Sequence, residues 1–152
     1  MKKSLGFSLL ELLIALGIAA ILVGVGGAAL RDATLDARRT ATLNGLLRAV
    51  HVARAEAVRT GREVVLCARG GSASGCAGPS ADWAKGWLVF VNEDRDRPAV
   101  ADADEPVLVA EGPRDGARIL GNRSAFRFLP FNRRSSNGTL VYCDQRLSLI
   151  HI

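Results

Sequence analysis

The chain has 152 residues, of which 49% are hydrophobic and 23% charged, and its net charge is +5. This is an ordinary globular mixture for one domain with attached segments, and the charge excess is too small to identify a partner. Three cysteines exclude complete pairing within the chain, and the absence of a Cys-x-x-Cys pair argues against a structural zinc site.

A short basic segment opens the chain and is followed by a long apolar stretch. Within residues 7–30, Glu11 is the only ionisable side chain. A helix of this length spans about 36 Å, enough for a bilayer core, and Lys2 and Lys3 favour a cytoplasmic start. The stretch is too long for the apolar core of a secretory signal peptide. A plain membrane anchor fits the length, but it does not explain a costly carboxylate inside the apolar run.

Residues 6–13, Gly-Phe-Ser-Leu-Leu-Glu-Leu-Leu, resemble the type IV prepilin motif, with Ser8 in place of the threonine often found there. The resemblance implies that a prepilin peptidase cuts between Gly6 and Phe7 and methylates the amino group of Phe7. It also implies that Glu11, fifth in the mature chain, pairs with the amino terminus of a neighbouring subunit during assembly. We therefore expect a leader over residues 1–6 and a transmembrane helix over residues 7–30.

Helical periodicity continues past the apolar stretch and predicts an amphipathic helix over residues 31–61. Its apolar stripe, expected to pack on the following domain, consists of Leu43, Leu46, Leu47, Val50, Ala53, Ala57 and Val58. Gly61 predicts that the helix ends near Thr60, because glycine readily adopts the left-handed conformation found at helix ends.

Short apolar segments separated by Gly, Pro, Asn and Asp predict a β-rich domain over residues 62–152. Six strands are expected, at residues 64–67, 87–91, 107–109, 118–120, 125–129 and 139–143. One helix followed by six strands indicates an α+β fold with a mainly antiparallel sheet. The Asn137-Gly138 pair predicts a turn, because these residues accept positive φ.

The β-rich segment is similar to the globular domain of the FimT, FimU and GspH family of minor pilins and pseudopilins. The similar stretches are Val65–Cys67, Cys76, Trp83, Gly86–Val91, Pro106–Leu108, Phe126–Phe128 and Gly138–Asp144. The resemblance implies the type IV pilin fold and a minor subunit in type IV pilus assembly, or alternatively a pseudopilin of the type II secretion system. A membrane-anchored binding module or enzyme is the alternative from another functional class.

The same resemblance implies a single-pass protein of the bacterial inner membrane, with its carboxyl-terminal domain in the periplasm and incorporated into a pilus or pseudopilus. The implied partners are other major and minor pilins or pseudopilins, the prepilin peptidase and the membrane. Family members usually continue beyond the position of Cys143, to a partner cysteine and often a Gly-Arg-x-Arg element. We therefore expect this chain to be truncated and to lack its last strand.

Cys67 and Cys76 lie nine positions apart across a Gly/Ser-rich stretch. Because the expected topology places both in the oxidising periplasm, we predict a disulfide between them. The alternative is a pair of reduced, buried thiols.

The acidic segment between the second and third predicted strands has a partial match to a calcium loop. Asp94, Asp96 and Glu105 fall at ligand positions, but Pro98 and Ala99 stand where an oxygen ligand and a glycine are needed. We therefore predict a solvated acidic loop and no metal site.

The carboxyl-terminal third is basic, and its arginines are candidate DNA contacts: Arg118, Arg123, Arg127, Arg133 and Arg134. The resemblance to FimT-type proteins implies a role in DNA uptake during natural transformation. The alternative is a solubilising surface that faces partner subunits. The sequence contains neither a catalytic constellation nor a phosphate-binding glycine loop, so we predict no enzyme activity and no cofactor.

Overall fold

The computed structural model describes residues 8–71, 75–79, 81–130, 135–145 and 150–151. Its elements are helix α1 (Leu9–Thr60), a 3₁₀ turn (Trp83–Lys85) and strands β1 (Glu63–Ala68), β2 (Trp87–Asn92), β3 (Val107–Glu111), β4 (Arg118–Gly121), β5 (Ala125–Phe128), β6 (Leu140–Cys143) and β7 (Ile150–His151). The chain divides into two compact units, Met1–Arg38 and Arg39–Ile152. The predicted α+β class is confirmed, with a long helix packed on antiparallel sheet structure.

Helix α1 ends at the predicted place. Gly61 has a φ of +71°, and its N–H donates to the carbonyl of Ala57 at 3.1 Å. The hydroxyl of Thr60 donates to the carbonyl of Glu56 at 2.8 Å. These bonds satisfy carbonyls of the last turn, and the left-handed glycine directs the chain out of the helix and into β1.

Small residues form most of the helix face that packs in the core of the second unit. Leu46, Ala49 and Ala53 are buried, as is Ala57 one turn later. The predicted stripe is wrong at its edges, because Leu47 is 45% and Val58 is 41% exposed. Alanines on this face let the helix approach the sheet closely, which leaves the larger flanking side chains outside the contact.

The larger sheet has the order β3-β2-β1-β5, and all its pairs are antiparallel. Every residue of β1 and β2 is buried. One face of these strands joins the core formed with α1, and the other packs with Ala99 and Ala101. Burial on both faces explains why the two strands are continuous apolar runs rather than alternating patterns.

A second sheet of order β4-β6-β7 corrects the expectation of a single sheet. Strand β4 is joined to the 3₁₀ turn through Asp82, whose Oδ1 accepts from the N–H of Ala84 at 2.9 Å and of Ile119 at 3.0 Å. Strand β7 lies beyond Cys143, where we expected no further strand, and pairs with β6. A two-residue strand forms because it pairs with a neighbouring strand, so it cannot be predicted from the local sequence.

The turn predicted at Asn137-Gly138 is wrong. Gly138 does not have a positive φ, and residues 135–139 form neither a turn nor a strand on their way to β6. Glycine is needed here for space, because a Cβ at this position would lie 2.4 Å from Cε1 of Phe126 and 2.6 Å from Oδ1 of Asn122.

Candidate functional site

The predicted processing and assembly residues lie at the amino terminus. Gly6 and Phe7 lie outside the described residues, and Glu11 lies near the start of α1. The carboxylate of Glu11 is surrounded along the helix by exposed apolar side chains, from Leu9 at 78% to Ile21 at 68% exposed. An ionised carboxylate is costly in an apolar environment unless it is paired with an opposite charge.

Among the helices that the structure describes, none combines the length and the apolar character needed to cross a membrane. The transmembrane helix predicted over residues 7–30 stays a prediction.

The predicted disulfide between Cys67 and Cys76 is present, with the two Cα atoms 5.6 Å apart. Backbone bonds hold the same loop: the N–H of Gly70 donates to the carbonyl of Gly75 at 2.8 Å, and the N–H of Ala77 donates to that of Ala68 at 2.8 Å. The bridge therefore ties the segment after β1 against the sheet face opposite α1. Cys143 is half-buried and free.

The candidate DNA-binding arginines are distributed over both sheets. Arg118 is exposed on β4, Arg123 is exposed in the loop between β4 and β5, and Arg127 is partly buried on β5. Arg133 and Arg134 lie outside the described residues. The structure brings Arg123 and Arg127 together on the wall of one open polar cavity, whereas Arg118 is not among the residues that line it.

An ion-pair cluster around the buried carboxylate of Glu63 was missed by sequence reasoning. Glu63, only 3% exposed, accepts from both terminal nitrogens of Arg97 at 3.0 Å and lies 3.8 Å from Nε of Arg127. The side-chain amide of Asn92 lies near the same carboxylate, at 3.5 Å. No spacing rule links these residues, because the cluster depends on β1 lying between β2 and β5 in the sheet.

The carboxylates of the acidic segment bind their own backbone. Asp96 accepts from the N–H of Val100 at 3.0 Å, and Glu105 accepts from the N–H groups of Glu93 at 2.6 Å and Asp102 at 3.2 Å. Within the described residues, no group of three or more His, Cys, Asp or Glu side chains is arranged to hold a metal ion. The calcium-like spacing therefore corresponds to side chains that shape the loop.

Comparison with known families decides the identity of the chain. Residues 42–150 match the family described as Type II transport protein GspH. The chain belongs to the GspH family. The GspH match covers the part of α1 that contributes to the core, the strands of both sheets up to Ile150, the disulfide and the arginine cavity. Residues 1–27 match the Prokaryotic N-terminal methylation motif, which includes Gly6, Phe7 and Glu11.

Together the two matches make this GspH-family chain a minor pilin or pseudopilin. Membership implies processing by a prepilin peptidase, anchoring in the inner membrane and assembly with other pilins. The family is one of structural subunits and not of enzymes. No curated protein and no solved structure matches the chain.

Proposed function

We propose that this chain is cut after Gly6, methylated at Phe7 and built into a type IV pilus or a type II secretion pseudopilus as a minor subunit. Its amino-terminal helix anchors it in the inner membrane before assembly, with residues 62–152 in the periplasm. The observation that carries the proposal is that a methylation motif and a GspH domain follow each other in one chain. The matched family, Type II transport protein GspH, favours the secretion pseudopilus, and the type IV pilus is the second system to test.

A role for Glu11 in assembly is supported by its position as a single carboxylate in an apolar helix. In residues 8–30 it is the only ionisable side chain, and its neighbours on α1 are exposed and apolar. When such helices pack together in a fibre, the carboxylate loses water, and a methylated amino terminus from the adjacent subunit supplies the opposite charge. The pair sets the axial position of one subunit against the next, because a shift along the fibre leaves the charge unpaired.

The test is to measure incorporation of variants into the sheared fibre fraction. Glu11→Gln keeps the size of the side chain and removes its charge, so we expect processing to continue and incorporation to fall at least about tenfold, as for a lost buried charge pair. Asp32→Asn is the matched control, because Asp32 is an exposed carboxylate beyond the apolar stretch. Equal incorporation of Glu11→Gln and Asp32→Asn would overturn the assembly role of Glu11.

Deletion of the gene shows which of the two fibre systems the chain serves. A pseudopilin of the secretion system is required for export of folded substrates from the periplasm, whereas a pilin is required for surface pili. Loss of export with normal piliation supports the secretion system, and the reverse result supports the pilus.

DNA binding is a second candidate function, favoured by the exposure of Arg118 and Arg123. Neither side chain has an ion pair within the part of the chain that the structure describes, so both charges are available to phosphates. If both contact DNA, affinity falls steeply with salt, and the slope of log K against log salt decreases by about one for each arginine replaced by glutamine. An unchanged slope in both variants would contradict a DNA-binding role for these residues.

A further inference from the structure

The loop between β4 and β5 forms one wall of an open polar cavity of about 460 Å³. Its polar lining comes from Asn122, Arg123, Ser124, Arg127 and Ser136. None of the described residues that line the cavity is acidic, so its wall presents positive charge and hydrogen-bond donors, and Glu63 behind it is the carboxylate near Arg127.

Hydrogen bonds from Trp83 and Thr139 fix the backbone of this loop. The indole N–H of Trp83, a fully buried side chain, donates to the carbonyl of Arg123 at 3.0 Å. Asn122 and Thr139 form two hydrogen bonds. The backbone N–H of Asn122 donates to the carbonyl of Thr139 at 3.2 Å, and the N–H of Thr139 donates to Oδ1 of Asn122 at 2.9 Å. The base of the Arg123 side chain is therefore held in place before any ligand arrives, which lowers the entropy cost of binding.

Arg127 lies in the cavity wall, and no carboxylate forms a close hydrogen bond with its guanidinium in the part of the chain that the structure describes. The acid nearest to it, Glu63, lies 3.8 Å from Nε but holds both terminal nitrogens of Arg97 at 3.0 Å. The carboxylate of Glu63 therefore binds Arg97 directly and is only a longer-range partner for Arg127. Nε of Arg127 is also buried without a hydrogen-bond partner, which is costly for a charged donor.

The donors around the cavity match the acceptors of a phosphate group. Two guanidiniums supply planar sets of N–H donors suited to phosphate oxygens. Ser136 accepts the backbone N–H of Arg127 at 3.2 Å, which leaves its own hydroxyl proton able to donate. We propose that this cavity binds a phosphate group between Arg123 and Arg127, whether the phosphate is free or part of a nucleic acid strand.

This site is separate from the assembly role of Glu11, and it gives the DNA proposal one defined phosphate contact. The two phosphate sources are distinguished by using inorganic phosphate and a fluorescent single-stranded oligonucleotide as probes. The full chain in non-ionic detergent is titrated with each probe at low salt, by calorimetry for phosphate and by anisotropy for the oligonucleotide.

Arg123→Gln is the main variant, because its side chain is exposed and its removal leaves the backbone bonds of the loop intact. We expect phosphate affinity to fall about tenfold or more, as for a lost charge-assisted contact. Arg48→Gln removes the same charge from an exposed position on α1 that does not line the cavity, so its phosphate affinity should fall much less than that of Arg123→Gln. Arg127→Gln should weaken phosphate binding as well. This variant is used only if its thermal unfolding stays cooperative.

Equal phosphate affinity in Arg123→Gln and Arg48→Gln would overturn the site. If the oligonucleotide also loses affinity in Arg123→Gln, the source is nucleic acid; if only phosphate does, the ligand is a small phosphate. A glutamate-rich peptide that displaces phosphate and binds more tightly would overturn the phosphate assignment in favour of an acidic protein partner.

Discussion

Replacing Gly138 by alanine tests the packing at the junction between the two sheets. The new Cβ would lie 2.4 Å from Cε1 of Phe126 and 2.6 Å from Oδ1 of Asn122, closer than real Cβ contacts. The Phe126 ring cannot retreat easily, because it packs on Trp83 with ring centroids 5.4 Å apart. Asn122 is held by the N–H of Thr139 at 2.9 Å. Overpacking of this kind costs about 1–3 kcal/mol of unfolding free energy.

This cost is measured by thermal unfolding of the full chain in detergent, with far-ultraviolet circular dichroism as the readout. The midpoint of Gly138→Ala should fall by at least about 2 °C. Gly112→Ala is the matched control, because a Cβ there meets no atom within 4 Å, and it should stay within about 0.5 kcal/mol of wild type.

Gly138→Asn separates packing from turn chemistry. Asparagine tolerates a positive φ better than alanine does, so a turn at this position would favour it. The packing account predicts that the larger asparagine destabilises at least as much as alanine. A midpoint for Gly138→Ala equal to that of the control, or a clear advantage of asparagine over alanine, would refute the packing account.

Three further predictions concern the second unit. Serine at both Cys67 and Cys76 should lower the unfolding free energy by about 2.7 kcal/mol in the chain-entropy account, measured by denaturant titration against the oxidised wild type. Gly45→Ala gains about 1 kcal/mol of helix propensity, but its Cβ would lie 3.1 Å from the fully buried indole of Trp87, so crowding should cancel this gain; a midpoint raised by the full propensity gain would contradict this. The hydrogen bond from Arg59 lowers the pKa of Glu56, so the stability it gives is complete at neutral pH and is lost as pH falls through that lowered pKa. Carboxyl NMR titration should show the pKa of Glu56 rising in Arg59→Gln, and an unchanged value would show that the pair has no effect.

Features with strong local causes could be predicted from the sequence. The end of α1 follows from Gly61, whose lack of a Cβ permits the left-handed conformation. Strands β1 and β2 follow from their apolar runs. The disulfide between Cys67 and Cys76 follows from a short loop that brings the two cysteines together. In each case a few neighbouring residues determine the structure.

Features set by tertiary contacts could not be predicted in this way. The division into two sheets depends on which strands pair, and Gly138 is required by a ring on β5 and not by its own backbone. The ion pairs of Glu63 join residues from three parts of the chain. The arginine cavity likewise arises because the loop before β5 lies beside Arg127. Sequence reasoning identified the arginines but not which of them lie together.

The mass of the mature amino terminus tests most directly whether this chain is a processed fibre subunit. The chain is extracted from the membranes of cells with an active prepilin peptidase, and its amino-terminal peptide is analysed by mass spectrometry. The same cells lacking the peptidase serve as the control. We expect a chain that begins at methylated Phe7 in the first cells and a chain that retains residues 1–6 in the second. An unprocessed chain that begins at Met1 despite an active peptidase would contradict it.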